Sequence, residues 1–201
     1  MFYNSVQEVI VPPKKRYSKS EIADAAFRIV REKGCAALSA RSIAASLSSS
    51  TMPIYSNVAS MGEIEETVHK KALDLLLEYQ MKDYTENPFL NLAVGYIVYA
   101  REEANLFRFL FIERPRAMTG ENLADLRSRM RDEAPVAFER YFGGISSGEI
   151  DDVAMKSWVF THGLAVALSN GLIDSIGDEE IARMLGEAGG AFIAWERKDR
   201  P

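Results

Sequence analysis

The stretch from Leu38 to Tyr55, LSARSIAASLSSSTMPIY, decides the fold of this chain. Ser39 is of a residue type that caps helix N-termini. The apolar residues behind it recur at the spacing of one helix face, at Ala40, Ile43, Ala44 and Leu47. The serines at 48–50 interrupt that pattern, and Pro53 is compatible with the first turn of a second helix. The stretch therefore predicts two short helices joined by a tight turn.

Two short helices joined in this way form either a helix-turn-helix that reads DNA or a helical hairpin inside a core. A DNA-reading unit needs small residues on its packed side and hydrogen-bonding side chains on the free side of its second helix. Ile54 and Val58 fall on the inner side of that helix. The residues predicted to project outward and contact DNA are Ser50, Thr51, Met52, Pro53, Tyr55, Ser56 and Asn57.

Between Arg16 and Ile64 the chain resembles the DNA-binding domain of the tetracycline-repressor (TetR) family of bacterial regulators. The resemblance includes the helix lengths and the turn spacing, and an ordered set of residues carries it: Ile22, Ala25, Ala26, Gly34, Leu38, Ser39, Arg41, Ile43, Ala44, Leu47, Ser50, Ile54, Tyr55 and Ile64. Two later stretches look like ligand-domain segments of the same family: YAREEANLFRFLF (Tyr99 to Phe111) and WVFTHGLAVALSNG (Trp158 to Gly171).

The resemblance implies an all-α chain in three parts. Residues 1–17 are expected to form an N-terminal arm, residues 18–62 a three-helix helix-turn-helix domain, and residues 63–201 a helical bundle for ligand binding and dimerisation. Local signals agree with this division. Ser18 and Glu21 have the spacing of a capping box, and Ser60 and Glu63 repeat it at the start of a long helix. The long helix that starts after Ser60 is expected to end before Pro88 and to span well over 30 Å, at about 1.5 Å per residue.

By this resemblance, Arg41 faces DNA. Its guanidinium offers two parallel donors to the O6 and N7 acceptors of guanine, although a phosphate contact alone is the competing interpretation. The Tyr55 hydroxyl resembles the phosphate contact of the family. Three features depart from the family pattern. Ser48 replaces the turn glycine, Met61 replaces a phosphate-binding lysine, and the short helix after the turn, the third of the domain, has no Lys or Arg. They predict weaker electrostatic affinity for DNA, or specificity carried by Arg41, Asn57 and apolar contacts.

Charge is distributed unevenly along the chain. Residues 1–58 hold eight Lys or Arg against four Asp or Glu, a net charge of +4, and because the whole chain carries −5, residues 59–201 carry −9. A basic amino-terminal end is the sign expected where phosphates are neutralised. The arm places Lys14, Lys15 and Arg16 just before the first helix, where they are predicted either to contact DNA or simply to solubilise the chain end.

Composition excludes several classes of function. Cys35 is the only cysteine, and His69 and His162 are the only histidines, so one chain cannot assemble a disulfide framework or a Cys/His metal cluster. No stretch is long and apolar enough to span a membrane, and the first residues do not follow the order of a secretory signal. We therefore expect a cytoplasmic protein that is not an enzyme, has no cofactor and does not bind membranes.

The second half of the chain is rich in aromatic residues, which predict either an apolar ligand cavity or plain core packing. The candidate ligand-binding residues are Tyr96, Tyr99, Phe107, Phe111, Phe138, Trp158 and His162, with a packed histidine favoured over a ligand contact for the last. The final two helices are rich in small residues, which permit close backbone approach. The residues predicted for a dimer interface are Gly163, Ala167, Gly186, Gly189, Gly190 and Ile193.

Together these observations predict a ligand-responsive transcriptional regulator, usually a repressor. It would bind a palindromic operator as a homodimer and be released by a small apolar or aromatic effector. The alternative is a helical small-molecule-binding protein or enzyme that shares the architecture without binding DNA sequence-specifically, since fold does not fix function.

Overall fold

The computed structural model describes residues 17–115 and 120–198, and in these residues it contains ten α-helices and no strand. The predicted all-α fold is confirmed. Lys14, Lys15 and Arg16 lie outside the described residues. The first five helices are α1 (Lys19–Lys33), α2 (Ala40–Ser46), α3 (Met52–Asn57), α4 (Met61–Gln80) and α5 (Pro88–Glu102). The remaining five are α6 (Ala104–Arg108), α7 (Gly120–Glu133), α8 (Pro135–Phe142), α9 (Ser147–Ser169) and α10 (Asp178–Lys198).

The capping signals at the start of the chain operate as predicted. In the capping box of α1, the Ser18 hydroxyl accepts from the Glu21 amide at 3.2 Å and the Glu21 carboxylate accepts from the Ser18 amide at 2.8 Å. Gly34 ends the helix at a φ of +81°, which a residue without Cβ adopts at little cost. At α2, Ser39 and Ser42 exchange the same pair of hydrogen bonds. These caps set the boundaries of α1 and the start of α2.

One apolar face from each of the first four helices meets in a common core. The buried residues that they supply are Ile22, Ala25, Ala26, Ile29, Val30, Ala40, Ile43, Ala44, Ile54, Ile64 and Val68. Val58, just after α3, is also buried there. Because burial of a large aliphatic side chain stabilises by about 1.5–3 kcal/mol, this cluster is sufficient to hold two short helices that would not be stable alone.

Two predictions about α4 are wrong. The helix ends at Gln80, before Pro88 as predicted, but its 20 residues span only about 30 Å rather than well over 30 Å. The segment that follows is held by its own hydrogen bonds, in which the Tyr84 hydroxyl donates to the Tyr79 carbonyl at 3.1 Å. At the other end, Glu63 does not complete a capping box with Ser60, because its carboxylate accepts from the Ala59 amide at 2.7 Å instead.

Helix α5 forms the centre of the bundle and packs against α4, α9 and α10. A side chain at Gly95 would collide with the backbone of Tyr79 and Gln80, so the contact between α4 and α5 requires glycine there. A π-helical turn, Phe109–Glu113, continues α6, and the break between α7 and α8 falls just before Pro135, whose ring is incompatible with a continuous helix. A second apolar cluster joins α8 to α9 through Phe138, Phe142, Ile145, Ile150 and Val153.

The amino-terminal helices and the bundle share one continuous core, which runs from Tyr17 to Leu185. The main polar link between them joins α1 to the residue between α5 and α6. Arg31 donates to the Glu103 carboxylate from two nitrogens, with Nε at 2.7 Å, and Glu103 is almost fully buried. The Asn105 amide also donates to the Arg31 carbonyl at 2.9 Å. The hydrogen bond to Glu103 raises the pKa of the Arg31 guanidinium above its ordinary value.

The turn between α2 and α3 contains the only described residue other than glycine with a positive φ, Ser48 at +49°. This is the position where the resembled family has glycine. A side chain in the left-handed region costs about 1–2 kcal/mol, so Ser48 holds the turn at the expense of stability.

We expect Ser48→Gly to raise the free energy of unfolding by about 0.5–1 kcal/mol, measured by urea denaturation, because glycine adopts this conformation without steric cost. Ser50→Gly is the matched control: it adds backbone freedom with no strain to relieve and should leave stability unchanged or lower. Equal effects of the two substitutions would contradict the assignment of strain to Ser48.

Candidate DNA-contact surface and effector cavity

The residues predicted to contact DNA lie on the surface of α2, the turn and α3. Six of them are exposed: Arg41, Ser50, Thr51, Met52, Tyr55 and Ser56. Pro53 and Asn57 are half-buried, while Ile54 and Val58 face the core as predicted. Met52 and Tyr55 keep 63% and 60% of their surface exposed, which is unusual for side chains of this size and apolar character.

Some polar side chains of this surface already make hydrogen bonds or ion pairs within the protein, and others do not. Asn57 donates its amide to the Pro53 carbonyl at 2.7 Å, and the Ser56 hydroxyl donates to the same oxygen at 3.0 Å, so both serve the helix itself. Arg41 makes no ion pair with a described residue. By contrast, Lys19 and Arg31 pair with carboxylates of α4 and of the bundle. Arg41 is therefore an exposed cation of this surface that no described carboxylate neutralises, and Arg28 in the neighbouring groove is another.

A groove of about 610 Å³ runs between α1 and the turn, beside this surface. Its wall includes two carboxylates, Glu21 and Asp24, and one guanidinium, Arg28. Asp24 is paired with Lys71 at 2.9 Å, and Glu21 serves the cap of α1. The groove beside α3 is therefore close to electrically neutral.

Two apolar cavities lie in the bundle. One, of about 190 Å³, lies among α5, α8, α9 and α10, and the other, of about 180 Å³, lies among α5, α7, α8 and α9. They share one wall, formed by Phe89, Ala93, Phe142, Val153, Ser157 and Thr161. Each alone is smaller than the roughly 300–1,000 Å³ typical of ligand pockets, but together they reach the lower end of that range. The two cavities can therefore be treated as one interrupted site.

Of the predicted ligand-binding residues, Tyr96 and Trp158 line the 180 Å³ cavity. His162 contacts both of these side chains but does not line the cavity. Its ring stacks on Trp158 with a centroid separation of 5.1 Å, and its Nδ1 is 2.9 Å from the Tyr96 hydroxyl. Phe107 and Phe111 contact Tyr96 and His162 from the far side, with ring centroids 5.3–5.9 Å apart. They support the cavity wall rather than line it.

Two predicted residues lie elsewhere. Tyr99 is fully buried and donates its hydroxyl to the Ala72 carbonyl at 3.1 Å, so it belongs to the contact between α4 and α5. Phe138 packs on Phe89 and Phe142 in the second apolar cluster and does not line either cavity. Burial raises the pKa of the Tyr96 and Tyr99 hydroxyls, which therefore stay protonated at neutral pH.

Sequence reasoning missed the residues that give this site its polar character, Ser157 and Thr161. They stand four residues apart on the inner side of α9 and line both cavities. Their spacing is a signal in the sequence, but serine and threonine are equally common on solvated helix faces. It gains meaning only once that side of α9 is known to be buried.

The predicted dimer-interface residues fall into two groups. Gly186, Gly189, Gly190 and Ile193 line the 190 Å³ cavity. Gly163 and Ala167 instead lie on the outer side of α9, where a Cβ added at Gly163 would meet no heavy atom within 4 Å. Exposed apolar side chains are found on α9 and α10 as well: Val159 (56%), Phe160 (38%) and Trp195 (63%).

Within the described ranges, no group of three or more His, Cys, Asp or Glu side chains could hold a metal ion, and no helix is both long and apolar enough to cross a membrane. Searches against protein-family models and against curated proteins find no match to this chain. Any assignment of function rests on the residues and geometry above.

Burial lowers the pKa of His162 below its ordinary value. Because the unfolded chain then binds a proton more readily than the folded chain, stability contributed by neutral His162 is complete above about pH 6.5 and declines as the pH falls towards the folded-state pKa. Chemical denaturation between pH 7 and pH 5 should show a smaller loss of unfolding free energy for His162→Asn than for the wild type. Parallel pH profiles for the two proteins would contradict this account.

Proposed function

We propose that this protein is a ligand-responsive, DNA-binding transcriptional regulator of the TetR type, acting as a repressor. In this proposal a homodimer binds a palindromic operator through α2 and α3, and a small molecule in the bundle releases it. The observation that carries the proposal is the surface of α2 and α3: Arg41 is exposed and free of ion pairs among the described residues, beside an exposed α3 face held rigidly by a shared core.

Recognition of bases would combine one strong polar contact with apolar ones. Arg41 supplies the two parallel donors that match guanine, worth about 1–3 kcal/mol of discrimination. Met52 and Tyr55 present exposed apolar surface of the kind that contacts the thymine methyl group. The absence of Lys and Arg from α3 leaves few phosphate contacts, so affinity should depend less on salt than it does for strongly basic DNA-binding domains.

Dimerisation would use the outer side of α9 and α10. The apolar side chains exposed there, with Gly163 between them, form a face suited to a second copy of the chain. An isologous contact of this kind presents two identical DNA-reading surfaces, which match half-sites about 34 Å apart, or one helical turn of DNA.

Release by a ligand follows from linkage. A molecule that binds the cavity more tightly in one arrangement of the bundle than in another shifts the chain to that arrangement, and operator affinity changes by the difference, typically about 1–3 kcal/mol. Helix α5 provides a physical route, because it lines the cavity at Phe89, Ala93 and Tyr96 and leads to Glu103, the partner of Arg31.

The second candidate function is a helical small-molecule-binding protein that does not recognise DNA sequence. The charge-poor surface of α3 together with the apolar cavity favours it. Fluorescence anisotropy with genomic DNA fragments across a salt series separates the two. A sequence-selective complex at low salt is expected, and its absence would eliminate the regulator.

We expect Arg41→Ala to relax specificity at one base position in each half-site, at a cost of about 1–3 kcal/mol for the preferred sequence. Arg41→Lys is the matched control, because it keeps the positive charge but loses the planar pair of donors. If Arg41→Lys restores wild-type specificity, Arg41 contacts only phosphate. Met61→Lys, which adds the missing phosphate ligand, should strengthen binding to all sequences alike.

For the dimer, we expect Gly163→Leu to raise the dissociation constant about tenfold or more, because overpacking a tight contact costs about 1–3 kcal/mol. Gly148→Leu on the same helix is the control, since neither glycine has a neighbour within 4 Å of an added Cβ in the single chain. Analytical ultracentrifugation measures both variants. Equal dissociation constants for the two would show that Gly163 lies outside any dimer contact.

A further inference from the structure

The wall shared by the two cavities contains two hydroxyls that no described group of the protein engages, those of Ser157 and Thr161. Thr161 is only 6% exposed, yet neither its hydroxyl nor that of Ser157 has a hydrogen-bond partner in the part of the chain that the structure describes. Other hydroxyls on the helices are satisfied locally. Thr67 donates to the Glu63 carbonyl at 2.9 Å, and Ser169 donates to the Val166 carbonyl at 3.3 Å.

Both hydroxyls can therefore bind a polar group that enters the cavities, and covering them with an apolar group would cost their hydrogen bonds to water. Thr161 and Ser157 lie one helical turn apart, so their side chains are neighbours on the same face of α9 and point into both cavities. Two adjacent hydroxyls in an otherwise apolar wall are suited to bind one polar group between them.

The charged group at the edge of the site is already neutralised. Arg127 donates to the Ser147 carbonyl at 3.0 Å and pairs with Asp151, so it offers no free charge to an anionic ligand. The Gln80 amide is likewise engaged, donating to the Leu92 carbonyl at 3.0 Å. Because a buried ion without a partner is strongly disfavoured, the cavity should reject ionised molecules.

We propose that the two cavities form one site for an elongated, uncharged and mainly apolar molecule with a hydrogen-bond acceptor, such as an amide carbonyl, near its middle. The Ser157 and Thr161 hydroxyls donate to that acceptor. One apolar arm lies against Tyr96 and Trp158, and the other lies against Leu185 and Ile193. The role of this molecule as an effector rests on the proposed function, whereas its binding does not.

The test uses the full chain carrying Trp195→Phe, which leaves Trp158 in the cavity wall as the only tryptophan. N-butylbenzamide has a central carbonyl, butylbenzene has no polar group, and 4-butylbenzoate is charged. Quenching of Trp158 emission measures the affinity for each. We expect Ser157→Ala with Thr161→Val to weaken N-butylbenzamide about tenfold and to change butylbenzene by less than about twofold, as loss of one or two hydrogen bonds implies.

Thr161→Ser keeps the hydroxyl and should retain most of the affinity for N-butylbenzamide. Equal weakening of the amide and butylbenzene in the double variant would overturn the proposal, because the lost affinity would then not come from a hydrogen bond to the carbonyl. Binding of 4-butylbenzoate as tightly as the amide would also overturn it. If none of the three probes binds, both this site and the effector part of the proposed function fail, while sequence-selective DNA binding, measured separately by anisotropy, would stand.

Discussion

The contact between Arg31 and Glu103 is the interaction on which the rest of this structure depends. It joins the end of α1 to the point where α5 passes into α6, and the buried Glu103 carboxylate requires a partner because an uncompensated charge there would be strongly destabilising. The apolar core continues across the same boundary. The amino-terminal helices therefore do not form a separately packed unit, and their orientation is set by the bundle.

The contact between Arg31 and Glu103 provides a physical route for the proposed regulation, through α5. Helix α5 borders both cavities along one part of its length and supports α1 at its end, so a change in the packing of α5 reaches both places. Coupling between distant sites requires an element whose position both of them influence, and α5 meets that description. The π-helical turn that continues α6 adds a segment with irregular hydrogen bonding near the same junction, a feature often found where helices serve function.

Features governed by neighbouring residues could be predicted from the sequence, because caps and helix periodicity depend on residues three or four apart. The caps of α1 and α2, the inward position of Ile54 and the break at Pro135 belong to this class. Features that depend on distant partners could not. Arg31 and Glu103 are 72 residues apart, and nothing in either segment indicates the pair. The aromatic residues suggested a cavity, but only the packing of the bundle separates Trp158 in its wall from Tyr99 in the core.

The continuous core and the contact between Arg31 and Glu103 indicate that the amino-terminal helices and the cavity end of the chain unfold as one cooperative unit. Native-state hydrogen exchange in low concentrations of denaturant tests this most directly, by comparing buried amides of α1 with those of α5. We expect both sets of amides to exchange through the same opening, with equal free energies and equal dependence on denaturant. Exchange of the α1 amides at a distinctly lower free energy, while those of α5 remain protected, would show that the two ends are not rigidly coupled.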